Sequence, residues 1–440
     1  MNVCTQSRCE STSVQSDDEH AVHLVARLGR LLMTAGADTA HAVSHMREIS
    51  VVLGYESHIL ATSEAIMVTL ERDGRSVTKV GKGMPATGAD MARLTSITRF
   101  IADSRGATLD AHALDAAMDR IEAQARYPDI VVALGLALTA ASLARLFGAE
   151  PVVVVASAVA ALLGSMVRLY LTRIHANGLV LAGVTALVSG LIGSFIMQWM
   201  PQASPVLCLT AVGMILVPGV PLINAIRDFV TGHVSNALTR SALGLATVGV
   251  IGLALLAASV LAGNALPVGL APQSISLVED VVFSASAAIG YALLFNVPAR
   301  SIWLCVVCGM LSHGSRSALE FAGMGLVSAS LVGGIVAGGL ARASAFFTRS
   351  PAVVFAFAGI VAMVPGSYGF RAAIGSLHIM HQGAVASASL VAQTASLLLT
   401  TGMVTIAIAV GLSLALAKPG AGFLNHVTET HHHDQDQGNA

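Results

Sequence analysis

Charge is what this sequence has least of. Only 11% of its 440 residues are Asp, Glu, Lys or Arg, against roughly 25% in soluble domains. A soluble protein of this length could not clothe its surface with so little charge, which excludes an ordinary soluble enzyme or binding protein. Aromatic residues are scarce too, at 5%, and a net charge of −1 implies neither a nucleic-acid partner nor a strongly charged surface. The five cysteines (Cys4, Cys9, Cys208, Cys305 and Cys308) are odd in number and scattered, so they outline no disulfide framework. Cys305 and Cys308 lie inside an apolar run and read as small packing residues. There is no GxxxxGK[ST] loop, so ATP-driven pumping is not indicated, and no cofactor is expected. His41 and His45 have H-x-x-x-H spacing, but neither the HExxH glutamate nor a third ligand accompanies them. They read as exposed helix residues, and no metal is expected. Residues 1–20 are polar and acidic and lack the basic-then-apolar order of a signal peptide.

What is abundant is apolar and small. Hydrophobic residues make up 55% of the chain, the mean hydropathy is +0.74, and there are 42 glycines. That mixture suits helices packed closely inside a lipid bilayer, where small side chains let backbones approach. The expected fold is a mostly α-helical polytopic membrane protein preceded by a small α+β domain. Residues 1–18 read as a disordered tail, since STSVQSDDE has almost nothing to bury. Residues 19–127 read as a soluble domain. LVARLGRLLMTAG has helical apolar spacing, Asp38 or Thr39 can cap a second helix that Gly54 ends, and Asp73-Gly74 supplies a hairpin turn between short strands. Two more helices are expected near 89–103 and 108–125.

Apolar runs then dominate to Lys418, and a polar tail with His431, His432 and His433 occupies 418–440. The runs divide into ten spans, several near the roughly 20 residues needed to cross a bilayer. A 147-residue shift places Val217-Pro218-Gly219 on Val364-Pro365-Gly366 and Pro151 on Pro298. Two five-helix halves, 128–263 and 274–417, follow from that register. Because five is odd, the halves must enter the membrane from opposite sides. With the soluble domain inside, seven arginines (168, 173, 227, 240, 300, 342 and 349) fall in inner connections and three (145, 316 and 371) in outer ones. The positive-inside rule therefore puts both termini in the cytoplasm. Inverted repeats with interrupted helices at matching positions are a feature of secondary transporters.

The fourth and ninth spans carry the interruptions. Pro218 and Pro221 break the run MILVPGVPLINAIRD, and freed carbonyls at such a break must find partners or line a cavity. Asn224 offers donor and acceptor groups, Arg227 can hold a carboxylate through two parallel hydrogen bonds, and Asp228 can balance that charge or carry a proton. The same two charges would equally suit a helix end anchored at the membrane surface. In the ninth span Pro365 and Gly366 are followed by Arg371. His233, His378 and His381 flank the two breaks, and their near-neutral titration suits either proton coupling or an interfacial position. Glu279 and Asp280 read as acids favoured at a helix N-terminus, and Arg316 with Glu320 as a helical ion pair four residues apart.

These residues resemble the threonine/serine exporter family of bacterial inner-membrane transporters. LLMTAGADTAHAVSHMREISVVLG, VPGVPLINAIRDFVTGH and MVPGSYGFR carry the resemblance, which covers nearly the whole chain. It implies a cytoplasmic N-terminal domain, ten membrane helices in two halves, and export of small hydroxy amino acids driven by protons. The family's Pro-Gly-x-Pro-x-x-Asn-x-x-x-Asp pattern falls on Pro218, Gly219, Pro221, Asn224 and Asp228. Split relatives resemble dicarboxylate exporters, so a small dicarboxylate such as succinate is the alternative substrate. A membrane-anchored sensor acting through residues 19–127 is the alternative of another class. Assembly into a homo-oligomer is left open.

Overall fold

The structure is a computed structural model that describes residues 3–82, 89–105, 109–200, 204–263, 268 and 275–416, with side chains from residue 17 onward. The polar tail at 418–440 and its histidines lie outside the described residues.

The N-terminal domain is built from α1 (Val3–Thr34), α2 (Thr39–Val52), three strands and two further helices. The strands β1 (Glu56–Ala61), β2 (Ala65–Arg72) and β3 (Arg75–Lys82) form one antiparallel sheet in the order β1-β2-β3. Asp73 and Gly74 make the turn between β2 and β3 with positive φ, as the Asp-Gly pair demands. Helices α3 (Met91–Asp103) and α4 (Ala111–Glu122) complete it. Leu24, Leu28 and Leu32 recur at helical spacing on α1 and are fully buried, with Ile66, Val68 and Leu70 of β2 in the same core. Arg27 ties α1 to α4 by meeting Asp115, Asp119 and Glu122, each at 2.6 Å. The expected tail differs: α1 runs through it, and Asp18 is buried, accepting hydrogen bonds from Tyr55 Oη (2.6 Å) and Arg72 Nη2 (2.7 Å). His45, read as exposed, is also buried, with its ring edge-on to His41 at 4.3 Å.

The rest is helical: α5 (Asp129–Leu146), α6 (Pro151–Arg173), α7 (Gly178–Gln198), α8 (Pro205–Met214), α9 (Gly219–Val230), α10 (Val234–Leu261), α11 (Leu277–Leu294), α12 (Ile302–Phe321), α13 (Leu326–Thr348), α14 (Val353–Ile360), α15 (Gly366–Gln382) and α16 (Ala388–Leu416). Among the described residues, seven helices are long and apolar enough to cross a membrane, and nine if each bent pair, α8–α9 and α14–α15, counts as one span. The expected count of ten is thereby lowered. The remaining segment is α12, which packs between α11 and α13 but has a polar second half containing Ser312, His313, Arg316, Ser317 and Glu320. Outward faces are apolar, with Leu134, Val155, Leu245, Leu253, Leu399 and Leu414 exposed as lipid contact requires.

Close crossings depend on glycine. A Cβ on Gly290 of α11 would lie 2.2 Å from the Gly135 carbonyl oxygen and 2.0 Å from Thr139 Oγ1 of α5. Backbone cannot yield as a side-chain tip can, so Gly290→Ala is expected to destabilise the helical domain by about 1–3 kcal/mol. Thermal unfolding in detergent measures it. Gly249→Ala, where the added methyl meets nothing within 4 Å, is expected to leave the midpoint unchanged or raise it slightly.

Candidate functional site

The helical domain has two distinguishable ends. The N-terminal domain docks on one of them, the proximal end, through backbone groups that helix termini leave unpaired. Met91 and Ala92, at the start of α3, donate their N–H groups to the carbonyls of Phe295 and Asn296 just beyond α11 (2.8 and 3.0 Å). Asn296 Nδ2 returns a hydrogen bond to Asp90 Oδ1 at 2.8 Å, and Arg99 Nη2 donates to the Thr348 carbonyl at the end of α13 at 2.5 Å.

The third docking point is the Asn224–Asp228 motif. Asn224 Nδ2 donates to the Gly36 carbonyl (3.0 Å), and Arg227 Nη1 lies 2.8 Å from Asp38 Oδ2. Asp228 is fully buried; its Oδ1 accepts the Thr39 N–H at 2.9 Å and its Oδ2 lies 3.2 Å from Arg240 Nε on α10. Arg240 also donates to the Ala37 carbonyl (3.2 Å), and Asn236 Nδ2 reaches Thr39 Oγ1 (2.9 Å) and the Ala61 carbonyl (2.8 Å). Two acids and two arginines thus interlock around the α1–α2 turn. Burial alone would raise the Asp38 carboxyl, but the charge of Arg227, then His41 and Arg240, holds it below its ordinary value. Asp38 therefore contributes fully at neutral pH, and its contribution is lost only as pH falls through that lowered value.

At the middle of the domain the two interrupted spans meet. The α8–α9 pair bends by 60° and the α14–α15 pair by 47°. Pro218 caps α9, Gly219 starts it and Pro221 sits in its first turn, where a missing N–H costs no helical bond. Gly219 faces Val361, and Gly366 faces Met214, whose sulfur would overlap any Cβ placed there. The breaks therefore pack against one another. The Met363 carbonyl, just ahead of the second break, accepts from Arg316 Nη1 at 3.2 Å.

Arg316 belongs to a cavity of about 370 Å³ at the other, distal end. Leu146 and Phe147 at the end of α5, Phe321 at the end of α12 and Leu326 at the start of α13 line it at the distal helix ends, and Thr210 of α8 and Pro365 line it nearer the helix breaks. Its charged lining is Asp280, Arg316, Glu320 and Arg371, with His313, Ser317 and Tyr368 beside them. Asp280 is 5% exposed; its Oδ1 lies 2.8 Å from His313 Nδ1, and its Oδ2 accepts from Ser317 Oγ at 2.8 Å. Arg316 Nε sits 3.1 Å from Glu320 Oε1, and Arg371 Nε donates to the Val268 carbonyl at 2.9 Å. The volume lies within the range typical of small-ligand sites.

The structure divides the expected site residues. Pro365 and Arg371 line the cavity, while Gly366 and Gly219 pack the crossing of the breaks. Asn224, Arg227 and Asp228 are not in the cavity but in the docking interface. His233 is half-buried at the start of α10, 3.1 Å from Thr231 Oγ1; His378 is half-buried on α15 and His381 exposed, and none of the three lines the cavity. Glu279 behaves as a helix-start acid, forming a capping box with Ser276 and pairing with Arg145 at 2.5 Å. Its neighbour Asp280 turns inward instead. His313 escaped the sequence reading altogether. Its signal was spacing: His313, Arg316, Ser317 and Glu320 fall at i, i+3, i+4 and i+7, one face of a helix.

Comparison with known families gives two matches. Residues 23–262 match the family model described as "Putative threonine/serine exporter", and residues 280–417 match that described as "Threonine/Serine exporter, ThrE". No solved structure matches the chain.

Proposed function

Because the chain belongs to the threonine/serine exporter family, whose members are transporters rather than enzymes, we propose that it is a secondary transporter moving threonine and serine out of the cytoplasm in exchange for protons. In this reading the membrane is the bacterial inner membrane, and the proximal end, with both termini, faces the cytoplasm. The observation that carries it is the distal cavity. A zwitterionic amino acid needs a cation for its carboxylate and an anion for its ammonium, and this cavity sets Arg371 and Arg316 beside Asp280 and Glu320. Tyr368 and Ser317 add hydroxyls for a hydroxylated side chain. The interlocked proximal end and open distal cavity correspond to an outward-facing arrangement. We read the two halves as inverted repeats, supported by broken spans that recur 147 residues apart and pack break against break.

A second reading, export of a small dicarboxylate, draws support from two arginines in one cavity. Against it, Glu320 already pairs with Arg316 and Asp280 adds a second negative charge, so a dianion would meet as many acids as cations. Liposomes holding the purified protein separate the readings under an imposed pH gradient. Labelled threonine and serine are expected to accumulate, and labelled succinate to stay out. Accumulation of succinate alone transfers the assignment to dicarboxylates. Movement of none of the three beyond protein-free liposomes ends the transporter reading.

A further inference from the structure

We infer that Asp280 and His313 hold either a proton or the ammonium group of the departing amino acid, so that the two compete for one site. This rests on the proposed amino-acid export and says how that export is coupled. A carboxylate cannot donate, so an ionised Asp280 requires His313 to present Nδ1–H toward it, across 2.8 Å. Ser317 Oγ–H satisfies the second oxygen. The pair then carries one negative charge in the wall of the cavity that both residues line. Adding one proton to the pair cancels that charge and leaves the ammonium without its counter-ion. No bond other than to that proton is made or broken.

The surrounding charges make this pair the variable one. Arg316 and Glu320 on α12 neutralise each other, as do Arg145 of α5 and Glu279 at the start of α11. From α15 the cavity receives Arg371 and Tyr368, and the lining supplied by α8, α13 and α16 (Leu207, Thr210, Leu326, Val404) has no titratable side chain. With the pair unprotonated, two acids balance two arginines and a zwitterion fits. With it protonated, the cavity has an excess positive charge that repels the ammonium while still attracting a carboxylate. A proton entering from the distal side thus displaces the amino acid toward that side, which is the exchange that proton-driven export requires.

The test is threonine–threonine exchange in liposomes with equal pH on both sides, following the half-saturating threonine concentration from about pH 5 to 9. In the wild-type protein it is expected to climb as pH falls, approaching tenfold per pH unit. Asp280→Asn is expected to exchange at one weak, pH-independent half-saturation and to move no protons with threonine. Ser317→Ala keeps the carboxylate but removes one hydrogen bond to its charged form, so the climb is expected to begin about one pH unit higher. It serves where Asp280→Asn fails to fold. If Asp280→Asn keeps the wild-type pH dependence, or Ser317→Ala leaves the onset in place, the competition is overturned while export stands. If the wild-type protein exchanges neither threonine nor serine, the proposed function falls first and the competition with it.

Discussion

Arg240→Ala is expected to release the N-terminal domain from the helical domain, weakening docking by about 3–5 kcal/mol, the usual cost of removing one partner from a buried ion pair. The reason lies in what remains. Asp228 is fully buried, and with Arg240 gone its Oδ2 faces no cation, while the Ala37 carbonyl loses its donor. Arg227→Ala is expected to cost less, since Asp38 still accepts the His41 N–H at 3.0 Å. The double variant Asp228→Ala/Arg240→Ala should be milder than Arg240→Ala alone, because it leaves no stranded charge. Protease cleavage in the 123–128 connection, together with the thermal midpoint in detergent, reports the release. An Arg240→Ala protein as resistant and as stable as wild type would show that Arg240 does not hold the domains together.

Arg371→Ala is expected to raise the half-saturating threonine concentration by roughly 10- to 100-fold, the equivalent of a charge-assisted hydrogen bond of about 1.5–3 kcal/mol. Its Nε is fixed on the Val268 carbonyl, which orients the guanidinium at the cavity wall before a solute arrives. Arg371→Lys should recover only part of the loss, since an ammonium cannot hold Val268 and a carboxylate with the same planar fork. Arg316→Ala is the less clean test, because it also strips the Met363 carbonyl of its donor at the helix break. Exchange kinetics at fixed pH decide the matter. Unchanged half-saturation in Arg371→Ala would remove this side chain from the binding site.

Both predictions turn on residues whose type was visible in the sequence and whose neighbours were not. Asp228 follows a proline break in an apolar run, and local rules suit it equally to a solute path and to a helix end at the membrane surface. One of its partners, the Thr39 N–H, lies 189 residues earlier in the chain, on a turn that no periodicity connects with α9. Asp280 illustrates the converse. The rule that acids favour helix starts explains Glu279, yet one residue on, a rotation of about 100° about the helix axis carries Asp280 into the cavity.

What the sequence determined by itself was everything governed by local covalent rules and by solvent. The small charge fraction required a bilayer; the leucine spacing of α1, the Asp73-Gly74 turn and the two Val-Pro-Gly breaks set helix, hairpin and interruption where they stand. Each of these follows from residues within a few positions of one another. Which polar groups converge was decided only by tertiary packing. An ionisable side chain in an apolar environment must find a partner wherever the fold supplies one, and here the N-terminal domain and α10 together supplied partners to Asp228 while α12 supplied them to Asp280.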